Sequence, residues 1–359
     1  MDAKLLGRRL LAWFKAEGRA LPWRTGQARD PYRVWLSEIM LQQTTVAAVA
    51  PYYERFLARW PTVEALARAD LDDVLHAWQG LGYYARARNL HRAAREVAGA
   101  CGGRFPTDEA GLGRLPGVGP YTAAAVAAIA YGERTVPVDG NVARVIARLY
   151  GMPAGLPEAR AALRDRACAI LPARRASNNA PPAGRAGDFA EALMDLGATV
   201  CTPRTPRCGA CPWRSACRAF ASGRPEAFPR KKKKTARPVR HAVVFWGEDG
   251  RGRVLVRRRP ERGLLGGLME FPSTPWRAKP WPAAEVPRHA PAKGKWRRVA
   301  KGAFAHVFTH FVLRGEVVRA RIRGAKIKDS RWWPVADLDR LALPSVMKKA
   351  AKLAGGCRH

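Results

Sequence analysis

The hydrophobic period of this chain changes once, near residue 230, and that change limits the folds open to it. Upstream, Ala, Leu and Val recur at three- and four-residue spacing through 4–17, 51–59, 71–78, 85–98, 121–130, 142–149 and 160–170. Such spacing predicts helices that each bury one stripe. Breaks such as Trp60-Pro61-Thr62 and Gln79-Gly80-Leu81-Gly82 separate them, so the expected first part is an all-α assembly. Downstream the runs are short and β-rich, at 241–246, 253–256, 309–314 and 316–321, ahead of a Leu- and Lys-rich C-terminal helix. That part is expected to be α+β. Between the two lies Arg230-Lys231-Lys232-Lys233-Lys234-Thr235-Ala236-Arg237-Pro238, which cannot bury a core and reads as a tether. The expected organisation is therefore a helical domain over 1–229, a basic linker over 230–238 and a second domain over 239–359. The segment 173–188, rich in Ala, Pro, Gly and Arg, reads as a flexible surface insertion.

Charge narrows the class of partner. Lys and Arg number 64 against 29 Asp and Glu, a net of +35, and 49 of the 64 are Arg. An excess of guanidinium points to a polyanion. The excess is uneven: 31 basic against 20 acidic residues before residue 230, and 33 against 9 from there on. No apolar run approaches the roughly 18 residues of a membrane span. The N-terminus lacks an apolar core followed by a small-residue cleavage site. The expectation is a cytoplasmic, bacterial, DNA-associated protein, monomeric by default.

Cys201, Cys208, Cys211 and Cys217 form a C-x6-C-x2-C-x5-C run among Pro, Arg and Thr. Thiolates this dense could saturate a tetrahedral zinc or hold a four-iron cluster, and the spacing alone does not separate the two. The remaining Cys101, Cys168 and Cys357 read as ordinary packed or exposed thiols.

Two further features carry chemistry. Leu115-Pro116-Gly117-Val118-Gly119-Pro120-Tyr121-Thr122 enters the Ala-rich helix through a glycine hairpin, whose free helix-start amides suit a phosphate. Two acids lie in largely uncharged surroundings: Glu38, beside Leu36, Ile39 and Met40, and Asp139, in Val136-Pro137-Val138-Asp139-Gly140-Asn141-Val142. A buried Glu38 would have a raised pKa and carry a proton near neutrality, while an ionised Asp139 could stabilise positive charge. Breaking a glycosidic bond through an oxocarbenium-like state needs that pair of roles. Asp139 could equally be a helix N-cap, and Glu38 a helix residue paired with Arg33 or another base.

These motifs, with Leu21-Pro22-Trp23, Ser37-Glu38-Ile39-Met40-Leu41-Gln42-Gln43-Thr44 and Gly80-Leu81-Gly82-Tyr83-Tyr84-Ala85-Arg86-Ala87-Arg88, occur in an order that resembles the MutY family of adenine DNA glycosylases. That family lies in the helix-hairpin-helix superfamily of endonuclease III. The resemblance covers essentially the whole chain. It implies a helix-hairpin-helix near 112–130, a [4Fe-4S] cluster held by the four cysteines of a 201–217 loop, and removal of adenine mispaired with 8-oxoguanine or guanine in double-stranded DNA. It further implies base flipping, proton donation by Glu38, and cation stabilisation by Asp139 with Tyr121 and Asn141 near. Leu41, Gln43 and Tyr83 match residues that probe or wedge the opened stack, and Gly117 and Gly119 match the phosphate-binding hairpin. Tyr121 stands where the bifunctional, strand-cutting branch has a nucleophilic lysine; a phenol forms no imine, so a monofunctional enzyme is expected.

The C-terminal Gly263-Leu264-Leu265-Gly266-Gly267-Leu268-Met269-Glu270-Phe271-Pro272 resembles the same family's Nudix-type domain. No glutamate-dense metal helix accompanies it, so it is expected to bind without hydrolysing. Phe308, Thr309 and His310 match the loop that recognises 8-oxoguanine, with Thr in place of Ser. Leu265 stands where Trp is common in the family, and the 173–188 insertion is a further departure.

Overall fold

A computed structural model of the chain describes residues 2–24, 29–155, 157–173, 184–230, 236–260, 263–325 and 327–355. Its elements, in chain order, are α1 Ala3–Glu17, α2 Pro31–Leu41, α3 Val46–Arg59, α4 Val63–Arg68, α5 Leu71–Ala77, α6 Ala85–Gly99, α7 Glu109–Leu112, α8 Pro120–Tyr131, α9 Gly140–Tyr150, α10 Arg160–Ala169, α11 Gly184–Asp195 and α12 Arg218–Ala221. They are followed by β1 Val239–Glu248, β2 Arg253–Arg258, β3 Met269–Glu270, β4 Arg297–Val307, β5 Val312–Arg321, β6 Ser330–Pro334 and α13 Ser345–Ala354. No described helix is long and apolar enough to cross a membrane. Two compact units result: residues 1–69 with 89–233, and residues 70–88 with 234–359.

Local chemistry sets the helix starts of the first unit. Asp2, Asp30, Thr45 and Thr62 cap α1 to α4 through side-chain oxygens that accept amide hydrogens of the first turn. The centre is α8, whose residues from Thr122 to Ile129 are all buried, with α2, α7 and α11 packed around it. Its alanines let these neighbours approach closely. Gly132, in the left-handed conformation, ends α8. Leu6, Leu10, Ile146, Leu163, Phe189, Leu193 and Trp213 belong to one core joining α1, α9, α10, α11 and the cysteine loop.

Several expected boundaries move. The helix expected at 51–59 starts at Val46 and takes Pro51 into its second turn. Helix α2, without a polar stripe to announce it, buries eight of its residues from Tyr32 to Met40. Of the expected insertion, 174–183 lie outside the described residues, and 184–188 open α11 rather than forming a loop. Residues 231–235 of the expected linker and Cys357 also lie outside the described residues.

The second unit is built on a mixed sheet in the order β3-β2-β1-β5-β4, with β6 also paired to β2. Strands β1 and β5 run parallel, Val239 opposite Val312 through Glu248 opposite Arg321. Alternation places Ala242, Val244 and Trp246 against α13 through Val346, Met347 and Ala350. The opposite face sets Val243, Phe245 and Val318 against Trp281 and Trp296. The runs expected as two strands, 309–314 and 316–321, are one strand beginning at Val312. Gly315 does not break it; the Phe304 ring of β4 lies where a Cβ would stand, 2.3 Å from that position. Residues 70–88 join this unit through Arg258, paired with Asp72 at 2.6 Å, and Gln79, whose amide donates to the Leu341 carbonyl at 3.1 Å.

Candidate active site

Helix α2 carries Glu38 into the interior, 5 % exposed, in the wall of a cavity of about 50 Å³. At the ~10–15 Å³ that a water requires, this holds a few water molecules. Leu21, Trp23, Arg24, Leu41, Glu191 and Met194 share the wall. Burial pushes the Glu38 carboxyl up to about 7. A hydrogen bond with Tyr121 pulls the other way, Asp139 and Glu191 push it further up, and Arg24 draws it back. The polar partner of Glu38 is therefore the Tyr121 hydroxyl rather than Arg33. That hydroxyl also lies 3.8 Å from Met194 Sδ. Burial, then the charges of Glu38 and Asp139, hold the phenol well above its usual range, so Tyr121 keeps its proton.

Asp139 is a helix cap, and its charge also reaches Glu38. Oδ1 accepts from the Val142 amide at 2.7 Å and Oδ2 from the Asn141 side chain at 3.1 Å. Asn141 Oδ1 in turn accepts from Arg144 at 2.8 Å. Arg144 also donates to the Cys201 carbonyl and the Gly197 carbonyl, each at 2.7 Å. A continuous hydrogen-bonded path thus runs from the cysteine loop to Asp139.

Sequence reasoning missed the cation and anion beside Glu38. Arg24 pairs with Glu191 and Asp195, each at 2.8 Å, and Arg19 pairs with Asp195 at 2.6 Å. Burial pushes Asp195 up, but the bonds from Arg24 and Arg19 outweigh it and hold the carboxyl below its ordinary range. Glu191 is left raised by burial despite Arg24 and Arg29. Arg24 and Glu191 lie 167 positions apart, and only the Trp23 neighbour of Arg24 fell inside a noticed motif.

Of the residues expected to contact DNA, Leu41 ends α2 half-buried in the Glu38 cavity wall, while Gln43, Tyr83, Gly117 and Gly119 stand at exposed turns. Gln43 and Tyr83 are among five described non-glycine residues with positive φ, at 58° and 47°. A side chain held there carries backbone strain of a kind that collects at functional sites. Tyr83 is 47 % exposed, and its hydroxyl meets Thr309 Oγ1 at 2.6 Å. Gly117 sits at φ 77°, and a Cβ there would stand 2.6 Å from Asn89 Cβ, so the hairpin needs glycine. Gly119 and Pro120 open α8 without a side-chain cap, leaving its first amides for an outside acceptor. Thr309 and His310 are exposed at the turn between β4 and β5, while Phe308 stacks on Phe311, centroids 4.7 Å apart.

The four cysteines line one cavity with Arg148 and Arg214. Among the described residues no three His, Cys, Asp or Glu side chains converge as a metal-holding group. Arg148 donates to Cys201 Sγ at 3.3 Å and to the Thr202 and Pro203 carbonyls at 2.7 and 3.0 Å. Burial pushes the Cys211 thiol up to about 12 and raises Cys208 and Cys217.

Comparison with known proteins accords with this geometry. Residues 36–168 match the profile of the HhH-GPD superfamily base excision DNA repair proteins, and residues 243–353 match that of the NUDIX domain. The adenine DNA glycosylase of Homo sapiens is 34 % identical, over 97 % of this chain and 73 % of its own length. That of Mycobacterium tuberculosis is 46 % identical over 58 % of this chain and 67 % of its own. A thermostable thymine-DNA glycosylase structure superposes with a TM-score of 0.54 at 30 % identity, covering 61 % of this chain and 97 % of that one.

Proposed function

Since this chain belongs to the adenine DNA glycosylase family and is a DNA N-glycosylase, we propose that it hydrolyses the bond between adenine and deoxyribose through Glu38 and Asp139, with adenine opposite 8-oxoguanine or guanine as its substrate. The observation that carries this reading is the Glu38 carboxyl, buried in a cavity wall and raised to about 7. An acid poised there is substantially protonated at neutral pH.

Once adenine is flipped out, Glu38 donates its proton to a ring nitrogen as the C1′–N9 bond breaks. The bonding electrons then leave with a neutral base. Glu191 offers an acceptor to the exocyclic amine and Arg24 a donor to a ring nitrogen, which gives the pocket a reason to prefer adenine. Positive charge develops on the sugar, and ionised Asp139, held by the Val142 amide and the Asn141 side chain, stabilises it. Water adds to C1′ and gives up a proton. Tyr121 holds Glu38 and supplies no amine, so the enzyme is monofunctional and leaves the strand intact.

The remaining roles follow the exposed turns. Gly117, Gly119 and the start of α8 hold a backbone phosphate without reading sequence. Leu41, Gln43 and Tyr83 fill or probe the opened stack. Phe308, Thr309 and His310 read 8-oxoguanine. Residues 1–229 act as the glycosylase domain, 230–238 as a tether and 239–359 as the recognition domain of a monomeric enzyme working on chromosomal DNA in the cytoplasm.

Cys201, Cys208, Cys211 and Cys217 would hold the [4Fe-4S] cluster. The fit rests on the donor set: four free thiols line one cavity, burial raises Cys208, Cys211 and Cys217, and the guanidinium of Arg148 draws Cys208 back toward thiolate and donates to Cys201 Sγ. When bound, the cluster would supply a cross-link for a loop too short to have a core of its own. A single-turnover assay on a labelled duplex with one adenine opposite 8-oxoguanine tests the reading. Strand breaks are expected only after alkali; breaks without alkali would move the enzyme to the lyase branch, and no base loss by folded, iron-loaded protein would remove the catalytic reading.

A further inference from the structure

One buried acid of the first unit has no part in the reaction as drawn. Asp195, the last residue of α11, is 0 % exposed and does not line the Glu38 cavity. It nevertheless takes five hydrogen bonds from two arginines that do line it. Oδ2 accepts from the Arg19 amide at 2.9 Å and from Arg24 Nη1 at 2.8 Å. Oδ1 accepts from Arg19 Nε at 2.9 Å, Arg19 Nη2 at 2.6 Å and Arg24 Nη2 at 3.1 Å.

The carboxylate is itself fixed. Its backbone carbonyl accepts from Thr199 Oγ1 at 2.8 Å, and a π-helical turn over Leu196–Val200 follows it. Turns of that kind are uncommon and collect at functional sites. Arg19 and Arg24 belong to the stretch between α1 and α2, in which the short turn Pro22–Arg24 lies. One acid therefore sets where that stretch meets the cavity.

Counting donors shows what the arrangement does. A guanidinium has five N–H groups. Arg24 gives Nε to Glu191 Oε1 at 2.8 Å, its Nη1 hydrogens to Asp195 and the Arg19 carbonyl, and one Nη2 hydrogen to Asp195. At most one N–H is left for the cavity, on a side chain already bonded to Glu191. Unheld, the same side chain would offer two parallel donors, the fork that matches the O6 and N7 acceptors of guanine. Held, it offers one donor next to the Glu191 acceptor, the complement of a ring nitrogen of adenine and the neighbouring amine. A purine seated the same way with O6 in place of the amine would set that oxygen against Glu191, with no second donor to answer it.

We propose that Asp195 is a positioning residue for base selection: by engaging the Arg24 fork, it turns a guanidinium suited to oxopurines into one that selects adenine. The inference rests on the reading that Arg24 and Glu191 meet the flipped base.

The test compares single-turnover release of adenine and of hypoxanthine, each opposite 8-oxoguanine in the same duplex, by the full iron-loaded chain. The parent should favour adenine; a parent that releases both alike would remove the reading of Arg24 and Glu191, and the proposal with it. Asp195→Asn keeps the shape but puts an amide donor where an oxygen accepted, and should narrow the adenine-to-hypoxanthine ratio at least about tenfold. Damaged packing would slow both bases together, so an unchanged ratio in folded Asp195→Asn would overturn the proposal while leaving the reading of Arg24 and Glu191 in place. Where Asp195→Asn does not fold, Arg24→Lys carries the test. It keeps the charge, leaves Asp195 its three bonds from Arg19 and loses the fork. Its ratio should narrow as well, and full adenine preference in Arg24→Lys would overturn the proposal.

Discussion

Glu38 in the first unit and Glu270 in the second are both buried, and the two meet very different company. Glu270 has a guanidinium on each oxygen, so its charge is answered on both sides. Glu38 is almost as hidden, but its neighbours are a phenol, two acids that repel its charge and one arginine largely engaged with Glu191 and Asp195. Burial alone therefore does not make an acid reactive. What makes it reactive is burial without enough compensation, a condition that costs stability in the resting protein.

The comparison breaks or sharpens under substitution. Glu38→Gln should lower single-turnover adenine release by about 10² to 10⁴, the range for losing a general acid, while duplex binding by gel shift persists; undiminished release would end the contrast. Glu270→Gln should do the reverse. It leaves two guanidiniums facing a neutral amide and should destabilise the second unit by about 3–5 kcal/mol, seen as a lower thermal midpoint. Base release at saturating enzyme below that midpoint should change little.

A pH series tests Glu38 further. Glu38 is raised from its ordinary 4.5 to about 7, so its active, protonated form is lost as pH rises through 7. Release should fall about tenfold per pH unit on the alkaline side. Stability follows the same sign: the penalty is absent below about 4.5, grows through 7 and approaches about 3 kcal/mol above it. Glu38→Gln should therefore melt higher than the parent at pH 8 and equally at pH 4.5. A difference independent of pH would mean that Glu38 does not titrate where proposed. The smallest effect is expected of Tyr121→Phe, which removes a hydrogen bond that lowers the Glu38 pKa. Its alkaline limb should move upward by a fraction of a unit, with the plateau rate within several-fold of the parent; a downward move would reverse the assigned direction of that bond.

Legibility in the sequence followed amphipathicity. Helices with one apolar stripe, such as α9 and α10, stood close to their expected bounds. The helix that carries Glu38 did not announce itself, because Tyr32, Val34, Trp35, Leu36, Ile39 and Met40 bury it on all sides. Strand β4 was missed for the opposite reason: Arg297, Arg298 and Lys301 make it read as solvent-exposed chain. Glu38, Asp139 and the cysteines were visible because each broke a local pattern. Arg24 and Glu191 broke none, and only folding across 167 positions makes them neighbours.

One arrangement ties manufacture of the enzyme to its working state. The carboxylate proposed to steady the sugar cation is the same group that starts α9, through the Val142 amide. Asp139→Ala would remove a helix start and a catalytic charge in one stroke, so a variant scored only by failed repair would not reveal which loss came first. Asparagine caps helices about as well as aspartate, and that single isosteric exchange is the route by which the architect's role of this residue can be told from the chemist's.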